Sequence, residues 1–185
     1  MTRLGPVALP AMTRWFPFLI AVIVFALDRA SKAWIEANVQ FWETHTIIPG
    51  FFQIVHTRNK GIAFGIFNDS GSNLGSWLLV AFSVGVLIFV FRLLWRQSEA
   101  LRNEHWSMTL ALALVLGGAL GNVYDRLRFG SVTDFLDFFW GSAHFPVFNV
   151  ADSAITVGAC LLLLNLWWTR NTGDQKAPPV PSERV

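Results

Sequence analysis

Acidic side chains beside hydrocarbon are the residues of this chain best suited to chemistry. Asp28, Asp125, Asp134 and Asp152 lie in or next to apolar runs, with Asn122, Arg126 and Asn149 close to them. Asn122 and Asp125 are three residues apart and Asn122 and Arg126 four apart, so one helix face would carry an amide, a carboxylate and a guanidinium. Asn149 and Asp152 repeat the spacing of three, where a further helix would open. Two carboxylates held close cannot both ionise, so the pair retains one proton. Its charged member can take a proton from water, while its neutral member hydrogen-bonds a carbonyl and protonates the developing oxyanion. Such a pair hydrolyses a peptide bond without a metal or a covalent intermediate. From spacing alone the same carboxylates could equally serve a proton-coupled transporter. A plainer alternative makes them structural: Asp125 or Asp28 pairs Arg126, and Asn149 caps the last helix. Asp134 and Asp152 have fewer cations nearby, which favours a chemical role for those two.

Other chemistries find little support. The four histidines (His45, His56, His105 and His144) share no ligand spacing, so no metal site is expected. Cys160 is the only cysteine and sits in an apolar run, which excludes an internal disulfide and favours a place in the helix packing. No phosphate-binding glycine loop is present, and no cofactor is expected. A net charge of only +2 gives no case for nucleic acid.

The elements that must position these groups follow from composition. The 185 residues are 54% hydrophobic and only 14% charged, against roughly 25% charged in an ordinary soluble domain. This balance predicts a membrane protein. Leu74–Phe91 offers eighteen uncharged residues, Trp106–Tyr124 nineteen and Ser153–Thr169 seventeen, the last closing on Trp167 and Trp168 as interfacial anchors. A first span from Trp15 to about Ala33 must take in Asp28 or end near it, because only thirteen residues, Trp15–Leu27, are free of charge. Its rival, a cleaved signal peptide, lacks a small-residue cleavage site after the apolar run. With the N-terminus in the cytoplasm, eight basic residues fall inside and six outside, so this topology is expected. Asp28, Asn122, Asp125, Arg126, Asn149 and Asp152 then gather at the outer end of the bundle. Between the spans, Thr44–Ile48, Phe51–Thr57 and Ile62–Phe67 are short runs rich in β-branched and aromatic residues, separated by Pro49-Gly50 and Asn59-Lys60-Gly61. They predict a small antiparallel sheet lying on the membrane. Residues 1–14 form an expected cytoplasmic segment, 15–170 the four-helix domain with its sheet at about 40–70, and 171–185 a disordered cytoplasmic tail.

Several stretches also resemble one known family. Phe148-Asn149-Val150-Ala151-Asp152-Ser153 resembles the FNxADS signature of the lipoprotein signal peptidases, or signal peptidase II. The run from Gly117 to Arg126 is similar to that family's GGALGNxxDR block, and Gly130–Phe135 to its G-x-V-x-D-F segment. Asn59–Gly65 resembles the N-x-G-A-A-F element, and Asp28–Lys32 the D-x-x-S-K end of the first helix. In order along the chain, these motifs reach from about Phe18 to Trp168.

The resemblance implies an aspartic endopeptidase of the bacterial inner membrane. It would cleave signal peptides from diacylglyceryl-modified prolipoproteins, just before the lipidated cysteine. The catalytic dyad carries over to Asp134 and Asp152. Asn59, Asn122, Arg126 and Asn149 carry over as polar support around the dyad and substrate, and Asp28 and Asp125 as structural polar groups. The implied fold is all-α, with four transmembrane helices, an extracytoplasmic β-cradle and a short interfacial helix, its site on the extracytoplasmic face. Partners would be prolipoprotein substrates, membrane lipid and globomycin-type inhibitors, and a monomer is expected. Ile62, Thr133 and Arg29 depart from the usual family pattern without removing any dyad residue.

Overall fold

Every third or fourth residue of the first helix turns inward. The computed structural model describes residues 15–60, 74–100 and 106–173, and in it α1 spans Phe16–Asn38. Pro17 lies in its first turn, where a missing N–H costs nothing. Pro17, Ala21, Val24, Asp28, Lys32 and Ile35 form one buried stripe, while Leu19, Val22, Ile23 and Leu27 face outward. The stripe is apolar at one end and charged at the other. The apolar pattern predicts an end near Ala33. The helix continues to Asn38 because Asp28 and Lys32, one turn apart, neutralise each other inside the bundle.

Three further helices follow: α2 over Leu74–Ala100, α3 over Trp106–Phe129 and α4 over Val150–Gly173. Among the described residues, three stretches are long and apolar enough to cross a membrane: Trp77–Arg96, Trp106–Phe129 and Val150–Trp168. α1 has 23 residues, but Asp28, Arg29 and Lys32 interrupt its apolar stretch. α2 outruns its predicted end at Phe91, since Arg92 and Arg96 stop the apolar run without stopping the helix.

α3 is the central helix, touching α1, α2 and α4. Of its span 56% is buried, against 11% for those of α2 and α4. Small residues let its neighbours approach. A methyl group at Gly117 would meet the Ala21 carbonyl oxygen at 2.6 Å, and one at Gly121 would collide with the Asp28 carboxylate. Ala21, Val90, Leu94, Leu112, Ala113 and Leu116 form the apolar core of α1, α2 and α3. At the same end Trp15, Phe18, Phe91 and Trp95 pack ring against ring.

At the opposite end lies a four-stranded antiparallel sheet in the order β1-β2-β3-β4. Its strands are β1 (Thr44–Ile48), β2 (Phe52–Asn59), β3 (Val132–Trp140) and β4 (Ala143–His144). β1 and β2 fall where the sequence predicts them. The predicted third strand, Ile62–Phe67, lies outside the described residues, as do 1–14 and 174–185. β2 pairs instead with β3, which the sequence reading leaves as an outer connection. α3 stops at Gly130, whose left-handed φ of 72° lets its N–H reach the Arg126 carbonyl at 3.0 Å and turns the chain into β3. Phe148 hydrogen-bonds the other side of β3 at Phe135 and Leu136, so β3 is gripped between β2 and the approach to α4. Ile35, Val39 and Phe135 form a second core, which ties the end of α1 to this sheet. The short interfacial helix implied by the family resemblance is not found among the described residues.

Candidate active site

Asp152 is held by the opening turn of α4. Asn149 precedes the helix, and its Oδ1 accepts the Asp152 N–H at 2.9 Å, while Asp152 Oδ2 accepts the Asn149 N–H at 3.3 Å. This is a reciprocal capping box, with Asp in the position more often held by Glu or Gln. The other end of the Asn149 amide reaches β3. Its Nδ2 donates to Asp134 Oδ1 at 2.6 Å and to the Thr133 carbonyl at 3.3 Å. One asparagine thus joins both acids, and Asn149 is wholly buried.

Asp134 enters from β3, where it pairs with Thr57 of β2. An extra β2 residue, between Ile54 and Thr57, shifts the register beside it. Asn59, at the end of β2, adds a side-chain hydrogen bond to Asp134. Burial first, and then the charge of Asp152, push the Asp134 carboxyl up to about 6, against the pull of Asn149, Asn59 and Lys32. Asp134 therefore holds its proton more firmly than an ordinary carboxylic acid and senses the charge on Asp152.

A second asparagine serves the other acid. Asn122 Nδ2 donates to Asp152 Oδ1 at 2.7 Å, and Asn122 Oδ1 accepts from Lys32 Nζ at 3.1 Å. Lys32 Nζ also lies 2.8 Å from Asp28 Oδ2 and 2.8 Å from Asp125 Oδ2. Asp28 Oδ1 in turn accepts the Ala151 N–H at 2.9 Å, and Arg29 pairs with Asp125. Asp28, Asp125, Lys32 and Arg29 thus balance one another beneath the site, with Glu36 at the edge, 3.9 Å from Arg29. Arg29 also stacks over Tyr124 at 4.9 Å.

The plainer structural expectation needs correcting in its partners. Asp28 and Asp125 pair with Lys32 and Arg29, not with Arg126. Arg126 points toward the acids: its Nη1 donates to the Asn122 carbonyl at 3.3 Å, and the charges of Asp152 and Asp134 act on it. Its Nε has no hydrogen-bond partner among the described residues. The helix face foreseen for Asn122, Asp125 and Arg126 divides between two tasks, with Asp125 facing the buried cluster and Arg126 the acids. Asp137, whose influence the sequence leaves open, is held by Gln53 at 2.6 Å and His144 at 3.0 Å. Three residues from Asp134 on a strand, it belongs to the opposite face. Cys160, expected in the helix packing, is exposed on α4.

Sequence reasoning missed Lys32 and Glu36. Lys32 was visible as the residue one helical turn after Asp28, but nothing in its own surroundings announced Asn122. Glu36 accepts the Thr133 hydroxyl at 2.7 Å, which ties α1 to the residue preceding Asp134. Among the described residues no group of His, Cys, Asp and Glu could hold a metal ion.

Known proteins share this arrangement of chain. The family profile described as signal peptidase (SPase) II matches residues 20–168. A lipoprotein signal peptidase of Solibacter usitatus (strain Ellin6076) is 48% identical over 153 residues, covering 83% of this chain and 91% of that protein. One from Shewanella loihica (strain ATCC BAA-1088 / PV-4) is 44% identical over 152 residues, covering 82% and 85%. A bacterial membrane enzyme solved by the in meso method at 2.3 Å superposes with a TM-score of 0.65 at 31% identity, over 89% of this chain and 93% of that one. Matches of this length and identity, together with helices apolar enough to span lipid, place the chain in the signal peptidase II family as an integral membrane peptidase.

Proposed function

We propose that this chain is an aspartic endopeptidase that removes signal peptides from diacylglyceryl-modified prolipoproteins, with Asp134 and Asp152 as its catalytic pair. The observation that carries the reading is the shared asparagine: the Asn149 side chain donates to the Asp134 carboxyl, its backbone N–H donates to the Asp152 carboxyl, and the charge on Asp152 raises the proton affinity of Asp134. Sharing one proton, the pair activates a water against the carbonyl before the lipidated cysteine and protonates the developing oxyanion. Coupled acids titrate as a pair, so the dyad as a unit is assigned the base and acid roles. Arg126, with its free Nε, and Asn59, at the exposed end of β2, would hold the substrate backbone.

In this reading α1 is the fourth span. At about 1.5 Å per residue its 23 residues extend about 34 Å, enough to cross the hydrocarbon if its charges stay in the buried cluster. The helices run alternately, so the acids and the sheet share one end of the bundle. With both termini cytoplasmic, that end faces outward. Acyl chains would remain in lipid while the peptide lies under the sheet. A monomer suffices, since every residue of the site comes from one chain. Globomycin-type cyclic peptides would compete for the same site.

The test is cleavage of a diacylglyceryl-modified prolipoprotein by purified protein in lipid, followed as a gel shift with and without globomycin. Asp134→Asn and Asp152→Asn should each lower kcat by at least about a thousandfold while the protein stays folded. Full activity in either variant would remove the mechanism. A transporter using the same acids predicts flux across sealed vesicles and no proteolysis.

A further inference from the structure

Lys32 has no exposed surface, and its charge acts on Asp134, but its ion pairs and hydrogen bond among the described residues go to Asp28, Asp125 and Asn122. Lys32 Nζ lies 2.8 Å from Asp28 Oδ2 and 2.8 Å from Asp125 Oδ2 as ion pairs, and among the described residues its hydrogen bond goes to Asn122 Oδ1, at 3.1 Å. The first two contacts neutralise charge. The third goes to an uncharged amide, and charge balance does not require it.

That amide has two ends of nearly equal size and opposite character. As placed, Asn122 turns its oxygen toward Lys32 and its Nδ2 toward Asp152 Oδ1. Flipped, it would set N–H against ammonium and oxygen against carboxylate, two repulsive contacts in place of two charge-assisted hydrogen bonds. Asn149 Nδ2, 3.5 Å from Asn122 Oδ1, favours the same orientation more weakly. We propose that Lys32 is a positioning residue for the dyad: by fixing the orientation of the Asn122 amide, it aims Nδ2 at Asp152. The role rests on the two-aspartate reading for its consequence in catalysis, but the amide orientation can be read independently of it. Among the described residues, the Asp152 carboxylate otherwise receives only the longer bond from the Asn149 N–H, at 3.3 Å. Without Lys32 the amide oxygen keeps only the weak 3.5 Å contact from Asn149 Nδ2, and the orientation that aims Nδ2 at the Asp152 carboxylate loosens.

Lys32→Met alone would strand Asp28, leave Asp125 to Arg29 and could unfold the bundle. Asp28→Asn with Lys32→Met keeps the charge balance of the cluster and preserves an acceptor for the Ala151 N–H. In lipid, kcat and KM for a diacylglyceryl-cysteine peptide should be compared for this pair of substitutions with Asn122 present and with Asn122→Ala. Positioning through Asn122 predicts a fall in kcat of about tenfold or more with Asn122 present, KM within about twofold, and under about twofold further loss with Asn122→Ala. Equal losses in both backgrounds, or none in either, would overturn the role. Solid-state NMR of protein carrying 15N-Asn, 15N-Lys and 13C-Asp labels supplies a readout that needs no activity. A contact between Asn122 Nδ2 and Asp152 Cγ in the unsubstituted protein, lost in the paired variant, supports the role. Contact of Nδ2 with Lys32 Nζ instead, or survival of the Asp152 contact without Lys32, contradicts it. Activity retained in Asp134→Asn and Asp152→Asn would sink the dyad while leaving the amide result standing, so the two failures are distinguishable.

Discussion

The two ends of this helix bundle are held together by different forces. At one end Leu94, Leu112, Ala113 and Leu116 pack as hydrocarbon with an aromatic cluster beside them. At the other, the same stripe of α1 and the same face of α3 meet through Asp28, Lys32, Asn122 and Asp125. Surrounding lipid is as apolar as leucine, so the apolar end gains mainly from close packing, and small losses there relax locally. The polar end has no such latitude. Each buried charge there is tolerable only because its partner is present, and that rigidity suits groups that must stay aligned for chemistry.

Removing one member from each end sharpens the contrast most. Lys32→Met should destabilise the protein by about 3–5 kcal/mol, because it leaves two buried carboxylates to one arginine. Leu94→Ala should cost about 2–5 kcal/mol by opening a cavity, a similar loss with a different consequence. Denaturation in mixed micelles measures both. Residual folded Leu94→Ala should keep the kcat of the unsubstituted protein, whereas folded Lys32→Met should not. Equal effects on kcat would erase the distinction between the ends.

The proposed dyad should lower stability where it serves function. Because the folded protein raises Asp134 from 3.8 to about 6, it binds more protons than the unfolded chain between those values. Stability from this group is greatest below 3.8 and falls as pH rises through about 6. Asp134→Asn should therefore be more stable than the parent at pH 7, by on the order of 2–3 kcal/mol, and no more stable near pH 4. Unfolding midpoints at the two pH values provide the check. A variant less stable at both would contradict the buried-acid account.

Glycines give the smallest contrast. Gly121→Ala drives a methyl group against the Asp28 carboxylate and should cost about 1–3 kcal/mol. Gly85→Ala on α2 meets nothing within 4 Å and should be neutral or stabilising by up to about 1 kcal/mol. A neutral Gly121→Ala would mean that the charged end is looser than its contacts indicate.

How much of this could be read from the chain depends on which contacts are local. Runs such as Trp106–Tyr124 announce helices because hydrocarbon length is a local property. Polar convergence at one end was legible too, since Asn122 with Asp125 and Asn149 with Asp152 carry helical spacing. β3 was not. Its first four residues, Val132–Phe135, are all buried, so alternation gives no signal, and two aspartates argue against a strand. The partners of Lys32 were hidden because Asn122 is ninety positions away, and only packing of α1 on α3 brings them together. The same limit put Asp125 and Asp28 opposite Arg126, when nearer cations on α1 take that place.

The central claim is that Asp134 and Asp152 divide one proton, and infrared titration of the protein in lipid tests it most directly. The difference between the parent and Asp134→Asn should show a protonated carboxyl band that vanishes as pH rises through about 6. In Asp152→Asn the same band should vanish at lower pH, because the charge that helps retain the proton is gone. If Asp134 instead titrates in the ordinary carboxylate range and ignores the loss of Asp152, the two acids are not coupled and the account fails.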